Sequence, residues 1–103
     1  MRKAEVYVGK EKAADLIEHT RAHYEMIYND EYKGAPVSLT LPTKKRNYSF
    51  DSFPAFFEGL LPEGVQLEAL LRQKKINKDD YFSQLLAVGG DMVGAVTVKE
   101  AQS

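Results

Sequence analysis

The spacing of apolar residues in the first half of the chain predicts β-strands. Residues 5–8 (Glu-Val-Tyr-Val) form a β-branched and aromatic run, which Gly9 and a charged turn end. Further along, Tyr24, Met26 and Tyr28 occupy every second position. Because side chains alternate between the two faces of a strand, these three residues are expected to share one face.

The clearest alternation of apolar and polar residues lies at positions 37–41. Here Val37, Leu39 and Leu41 alternate with Ser and Thr, and a proline stands on either side of the run. This pattern predicts a strand. The segment 13–20 is ambiguous, because its apolar pair fits either a helix or a strand that pairs with the first one.

The apolar period changes to that of helices after residue 50. Asp51 and Ser52 are residue types that cap helices, and Pro54 is tolerated in a first turn. The apolar positions of this first helix are Phe53, Phe56, Phe57 and Leu60. Residues 61–64 (Leu-Pro-Glu-Gly) are expected to end it.

Two further helices and a final strand complete the predicted fold. A helix over 65–74 turns Leu67, Leu70 and Leu71 inward, and another runs from about Asp79 to Val88, with Gly89 placed to end it. Residues 95–98 (Ala-Val-Thr-Val) predict a last strand that returns to the sheet. The order of elements predicts an α+β fold, a small, mostly antiparallel sheet with about three helices packed on one side.

Length and composition narrow the possible functions. The 103 residues suit a single domain over 1–103, with a core of about 5–98. With 14 basic and 15 acidic residues the net charge is -1, which gives no field to attract nucleic acid or an anionic membrane. The absence of cysteine excludes disulfides, thiol catalysis and Cys-ligated zinc. We see no signal peptide and no run of about 20 apolar residues, so we expect a cytoplasmic protein.

No group of residues predicts catalysis, a metal or a cofactor. Glu58 and Glu63 flank a helix end without a visible reason for a shifted pKa, so an acid–base pair is disfavoured. His19 and His23 have the spacing of two metal ligands on a helix, but no third ligand accompanies them. The basic run 44–46 is better explained as a solvated loop than as a phosphate contact.

The glycine-rich segment 89–94 has a superficial likeness to a phosphate loop. It lacks the Lys-Ser/Thr ending and lies between a helix and a strand in the wrong order, so a helix end and a tight turn explain it better.

Four motifs in register make the chain resemble the N-terminal subdomain of the HipA family. Residues 37–42 resemble that family's LSLSLP strand, and residues 56–64 match its FFDGLLPEG segment almost residue for residue. Residues 80–89 resemble its DxFxLLxxxG helix, and residues 91–96 its DxVGAV close. The family commonly has Arg after the glycine, whereas this chain has Gly90, so the loop need not bind as it does there.

The resemblance implies a partner and not an enzyme activity. HipA proteins are serine/threonine kinase toxins of bacterial toxin–antitoxin modules, and no kinase motif follows this subdomain before Ser103. A free-standing copy resembles the HipS antitoxins. The implied function is that of an antitoxin subunit that docks onto a HipT-like kinase toxin, in a ternary complex with a HipB-like helix-turn-helix protein. The alternative is a non-inhibitory subunit that completes the kinase or bridges it to the DNA-binding partner.

Aromatic and apolar residues are the natural candidates for such docking. Six Tyr and five Phe are more than a core of this size needs to bury fully, and interfaces favour aromatic and Met anchors. Phe56 and Phe57 point about 100° apart on a helix, so one is expected in the core and the other is a candidate contact. Residues 61–64 form either a contact loop or only a turn. The candidate partner-binding residues are Phe56, Phe57, Leu60, Leu61, Pro62, Glu63, Gly64, Asp91 and Met92.

Overall fold

The computed structural model describes residues 1–90 and 94–101. The first four elements are strands and are followed by three helices and a last strand. They are β1 (Arg2–Val8), β2 (Glu11–Thr20), β3 (His23–Tyr28), β4 (Asn47–Phe50), α1 (Ala55–Glu58), α2 (Gly64–Lys74), α3 (Tyr81–Val88) and β5 (Val96–Glu100). No helix within these residues has the length and apolar character that crossing a membrane requires.

The five strands form one antiparallel sheet in the order β4-β3-β2-β1-β5. The ambiguous segment 13–20 is part of β2 and pairs with β1. The last strand returns beside β1, where Val98 lies opposite Val6. The predicted α+β fold with three helices is confirmed.

Apolar and polar residues alternate along the strands, and the core lies on the face of the sheet that carries the apolar residues. Tyr24, Met26 and Tyr28 are all buried on this face, as their spacing predicts. The other buried apolar residues of the strands on this face include Ala4, Val6, Ala14, Leu16 and Val98. Phe57 of α1 and Phe82 and Leu85 of α3 complete the core from the helical side.

The opposite face of the sheet carries charged and polar side chains. The Lys12 Nζ atom lies 3.0 Å from Asp15 Oδ1 and 3.4 Å from Glu5 Oε2. The Lys99 ammonium lies over the Tyr7 ring, 5.1 Å from its centroid. This division between an apolar and a charged face is usual for an antiparallel sheet with one side in water.

The predicted strand over 37–41 is wrong, because these residues form a loop tied to a buried tyrosine. The Tyr28 hydroxyl donates to the Leu41 carbonyl and accepts the Val37 N–H at 2.9 Å. Within this segment, the Leu41 N–H donates to the Ser38 carbonyl at 2.9 Å and closes a turn. The turn leaves Leu39 93% exposed, so the apolar alternation does not mark one buried face.

The fourth strand is Asn47–Phe50, which the sequence analysis did not identify. It pairs with β3, and Tyr48 and Phe50 lie partly buried against the core. The basic run before it is a loop, as expected. Its third member, Arg46, has a structural role, because its guanidinium donates to the carbonyls of Asn29 at 3.2 Å and Tyr32 at 3.0 Å.

The first helix begins later than predicted and has a different cap. Pro54 is the N-cap residue in extended conformation, and the described part of the chain contributes no side-chain hydrogen bond there. Asp51 and Ser52 lie before it in a bend and do not cap the helix. The helix spans only Ala55–Glu58, so its stability comes from burying Phe57 and not from its own hydrogen bonds.

Gly89 ends α3 as predicted, but not by adopting the left-handed conformation of a glycine cap. Its φ is -57°, which any residue can adopt. A Cβ atom at this position would lie 2.0 Å from the Val98 carbonyl oxygen. In addition, the Gly89 carbonyl accepts the Val98 N–H at 3.0 Å. Glycine is therefore needed because α3 and β5 touch here.

An ion-pair network anchors the other end of α3 to the sheet. Three donors of the Arg2 guanidinium lie 2.7 Å from Glu18 Oε1, 2.8 Å from Asp80 Oδ1 and 2.7 Å from Ser83 Oγ. Asp80 also caps α3 by accepting the Ser83 N–H. Burial opposes ionisation of Asp80, but the hydrogen bonds from Arg2 and Ser83 outweigh it and lower the pKa of Asp80 to about 2. Burial, with the Glu18 carboxylate, raises the pKa of Tyr24 to about 12.

Candidate partner-binding surface

The turn between α1 and α2 is built by local backbone rules. The Leu60 N–H donates to the Phe57 carbonyl and the Leu61 N–H to the Glu58 carbonyl, both at 3.1 Å, so the chain stays helical for one more turn. Pro62 has no N–H and does not continue this pattern. The chain then extends before Gly64, whose φ of 59° favours glycine.

The two adjacent phenylalanines divide between core and surface. Phe57 is fully buried, whereas Phe56 is half-buried. Their ring centroids are 5.2 Å apart at an interplanar angle of 79°, a favourable edge-to-face arrangement. Phe57 therefore supports the surface from beneath, and Phe56 is the member of the pair that reaches solvent.

Helix α2 covers its apolar side only in part. All of its residues are described, and none of them is buried. Leu67, Leu70 and Leu71, which were predicted to face inward, are half-buried, and Val65 is 80% exposed. A helix of a globular domain normally buries its apolar stripe, so this partly covered stripe is a candidate for a contact surface.

A groove of about 210 Å³ lies where the α1–α2 turn meets the first turn of α3. It brings together three of the candidate residues, Leu61, Pro62 and Glu63, whereas Gly64 does not line it. The sequence analysis did not place the remaining lining residues in a site. These are Glu58, Leu67, Tyr81 and Gln84.

The wall of the groove on α3 is held in place by buried contacts. Gln84 is 1% exposed, and its Nε2 atom donates to the carbonyls of Lys78 at 3.0 Å and Asn77 at 3.3 Å. The Tyr81 ring packs against Phe53 at a centroid distance of 5.6 Å and keeps 37% of its surface exposed. The sequence places Tyr81 in the first turn of an apolar helix, and that position does not distinguish a core residue from a groove residue.

Of the remaining candidates, two lie outside the described part of the chain and two histidines lie in the sheet. Asp91 and Met92 lie outside the described residues. His19 and His23 lie on neighbouring strands and not on a helix, with ring centroids 4.7 Å apart, and His19 Nε2 is 2.9 Å from Glu25 Oε1. Within residues 1–90 and 94–101 there is no group of three acidic, His or Cys side chains that could hold a metal ion.

Comparisons with known proteins agree on the family. The family model of the HipA N-terminal domain matches residues 4–99. An uncharacterized protein of Haemophilus influenzae is 31% identical over 85 residues, which cover 82% of this chain and 80% of that protein. A solved structure of the N-terminal domain of HipA toxin superposes with a TM-score of 0.78 at 26% identity, covering 100% of this chain and 95% of that one. The chain therefore belongs to the HipA N-terminal domain family.

Proposed function

We propose that the protein is an antitoxin subunit that binds and neutralises a separate HipA-like serine/threonine kinase of the HipT type. Membership of the HipA N-terminal domain family, which is linked to toxin–antitoxin systems, supports this proposal. The observation that carries it is the partly covered apolar surface formed by the α1–α2 turn and α2, where none of the α2 residues is buried and Val65 is exposed.

The proposed docking surface consists of the half-buried and exposed candidates around the α1–α2 turn. They are Phe56, Leu60, Leu61, Pro62, Glu63 and Gly64, with Val65 and Leu67 of α2 beside them. Fully covering one exposed Val or Leu side chain contributes about 1.5–3 kcal/mol. Association itself costs about 4–15 kcal/mol, so a stable complex needs most of this surface to be covered together. Asp91 and Met92, which lie outside the described residues, remain candidate partner contacts from the sequence.

The test is a kinase assay with and without this chain. We expect an equimolar amount to give a stable complex with the HipT-like kinase in size-exclusion chromatography and to suppress phosphorylation of the kinase's protein substrate. If phosphorylation rises instead, the chain is an activating or assembly subunit. Absence of both a complex and an effect, with a kinase that is active on its substrate, would overturn the proposal.

Two neighbouring residues of α2 provide a matched pair for mapping the surface. Val65 and Gln66 are both exposed, so neither replacement disturbs the fold. We expect Val65→Ser to weaken the complex about 10-fold, because it removes an apolar contact, and Gln66→Ser to leave it nearly unchanged. If neither replacement weakens the complex, the interface lies elsewhere; if both weaken it equally, the apolar character of Val65 is not what the kinase recognises.

The inhibitory mechanism and the third partner are part of the same proposal. A chain that blocks access of the protein substrate raises the apparent KM of the kinase, whereas one that holds the kinase inactive lowers kcat. A HipB-like helix-turn-helix protein is the proposed DNA-binding member of the complex. With its net charge of -1, this chain alone should not shift DNA in a gel at physiological salt.

A further inference from the structure

The groove between the α1–α2 turn and α3 combines an apolar floor with an acidic rim. Leu61, Pro62 and Leu67 supply aliphatic surface. Glu58 and Glu63 also line the groove, and both side chains are exposed. Among its described lining residues there is no Lys or Arg to neutralise these two carboxylates.

The size of the groove selects the kind of occupant. Small-molecule and cofactor sites have volumes of about 300–1,000 Å³, and this groove has about 210 Å³. It is therefore too small for a typical metabolite or cofactor, and large enough for one protein side chain. Its position within the proposed docking surface makes a side chain of the bound protein the natural occupant.

The chemistry of the lining residues selects which side chain fits. An aliphatic floor with two carboxylates at the rim suits a long cationic residue, whose stem packs on the floor while its head stays at the rim. The exposed Tyr81 ring lines the same groove and favours arginine over lysine. The planar guanidinium stacks on aromatic rings, gives up its hydration more readily than an ammonium, and pairs with carboxylates through two hydrogen bonds.

We propose that this groove receives an arginine side chain of the partner kinase, held between the Tyr81 ring and the carboxylates of Glu58 and Glu63. The inference rests on the proposed function, since the kinase supplies the arginine. The site is largely preformed, because Gln84 and Tyr81 are fixed by the contacts to the Lys78 carbonyl and the Phe53 ring. A preformed pocket loses little conformational entropy on binding, and arginine is a frequent hot spot of interfaces.

The experiment compares two charge-neutralising variants of this chain. In E58Q/E63Q both rim carboxylates become amides of the same shape. The control E68Q makes the same chemical change at an exposed residue of α2 that does not line the groove. Affinity for the HipT-like kinase is measured by calorimetry at several salt concentrations, and thermal unfolding of each variant confirms an intact fold.

We expect E58Q/E63Q to bind about 10- to 100-fold more weakly than the wild type and with a shallower salt dependence, because two charge-assisted contacts are lost. E68Q should bind like the wild type. If E58Q/E63Q and E68Q bind equally well, the groove inference is overturned while the antitoxin proposal stands. If the wild type does not bind the kinase, both are overturned.

A second step identifies the arginine. Each surface arginine of the kinase is replaced by alanine, and each variant is titrated with the wild type and with E58Q/E63Q. Replacement of one particular arginine should weaken binding to the wild type. The same replacement should have little further effect on binding to E58Q/E63Q, since the energies of coupled contacts are not additive. If the effects of all arginine replacements add to that of E58Q/E63Q, the occupant is not arginine.

Discussion

Replacement of Gly89 by alanine tests the close contact between α3 and β5. The backbone itself tolerates alanine, because φ is -57°. The added methyl group, however, would lie 2.0 Å from the Val98 carbonyl oxygen, 2.8 Å from its carbonyl carbon and 3.1 Å from the Leu85 carbonyl oxygen. Carbon and oxygen atoms ordinarily approach no closer than about 3.3 Å. The strand must therefore move by about 1 Å or more.

The cost follows from three contributions. Moving β5 away stretches the hydrogen bond from the Val98 N–H to the Gly89 carbonyl, which is worth about 0.5–1.5 kcal/mol. Overpacking a well-packed site costs about 1–3 kcal/mol. Alanine also lowers the conformational entropy of the unfolded chain, which stabilises the folded state by about 0.4–1 kcal/mol. The net expectation is a loss of about 2 kcal/mol, or roughly 10 °C in Tm for a domain of this size.

Gly90→Ala is the matched control. Gly90 is exposed, and among the described residues no atom lies within 4 Å of a Cβ built there. Urea unfolding of both variants, followed by circular dichroism, gives the two stabilities. We expect Gly90→Ala to lie within about 0.5 kcal/mol of the wild type. If Gly89→Ala is as stable as Gly90→Ala, the argument that α3 and β5 touch at this glycine is refuted.

Three further replacements test other parts of the fold by urea unfolding. Asp80→Asn keeps a capping residue but loses the charge, and a pKa lowered from 3.8 to about 2 corresponds to about 2 kcal/mol. This loss should be full above pH 4 and should vanish as the pH falls through 2; a pH-independent loss would contradict the ion-pair argument. Lys75→Gly should stabilise by about 1 kcal/mol, because Lys75 caps α2 with a φ of 54°; a loss of stability would contradict this. Tyr28→Phe should cost about 2–3 kcal/mol and speed amide exchange at Val37, because it leaves two buried backbone groups unpaired; unchanged exchange would show that the hydroxyl does not organise the loop.

Local patterns in the sequence were sufficient for most of the fold. The shared face of Tyr24, Met26 and Tyr28 and the helix over 65–74 depend on residues close in the chain, where periodicity is informative. The strand Asn47–Phe50 also shows alternation, with Tyr48 and Phe50 toward the core, so its signal was available and was missed.

The errors arose where a distant side chain decides the local structure. The alternation at 37–41 favours a strand, but the Tyr28 hydroxyl binds both ends of this segment and stabilises a loop. The network around Arg2 joins residues 16, 78 and 81 positions away. No local pattern contains such pairings. For the same reason Tyr81 could not be assigned to the groove from the sequence.

The same helix connects the stability of the domain with its proposed function. One end of α3 is fixed to the sheet by Arg2 and Asp80, and the other end touches β5 at Gly89. Its first turns carry Tyr81 and Gln84, which form one wall of the groove. Replacements at either end of α3 should therefore lower the stability of the domain. They should affect kinase binding only if they change the position of α3. Replacements of Glu58 and Glu63 should do the reverse, because both side chains are exposed and bear on no buried contact. A variant set that shows these two effects separately would distinguish a surface evolved for binding from one that is merely exposed.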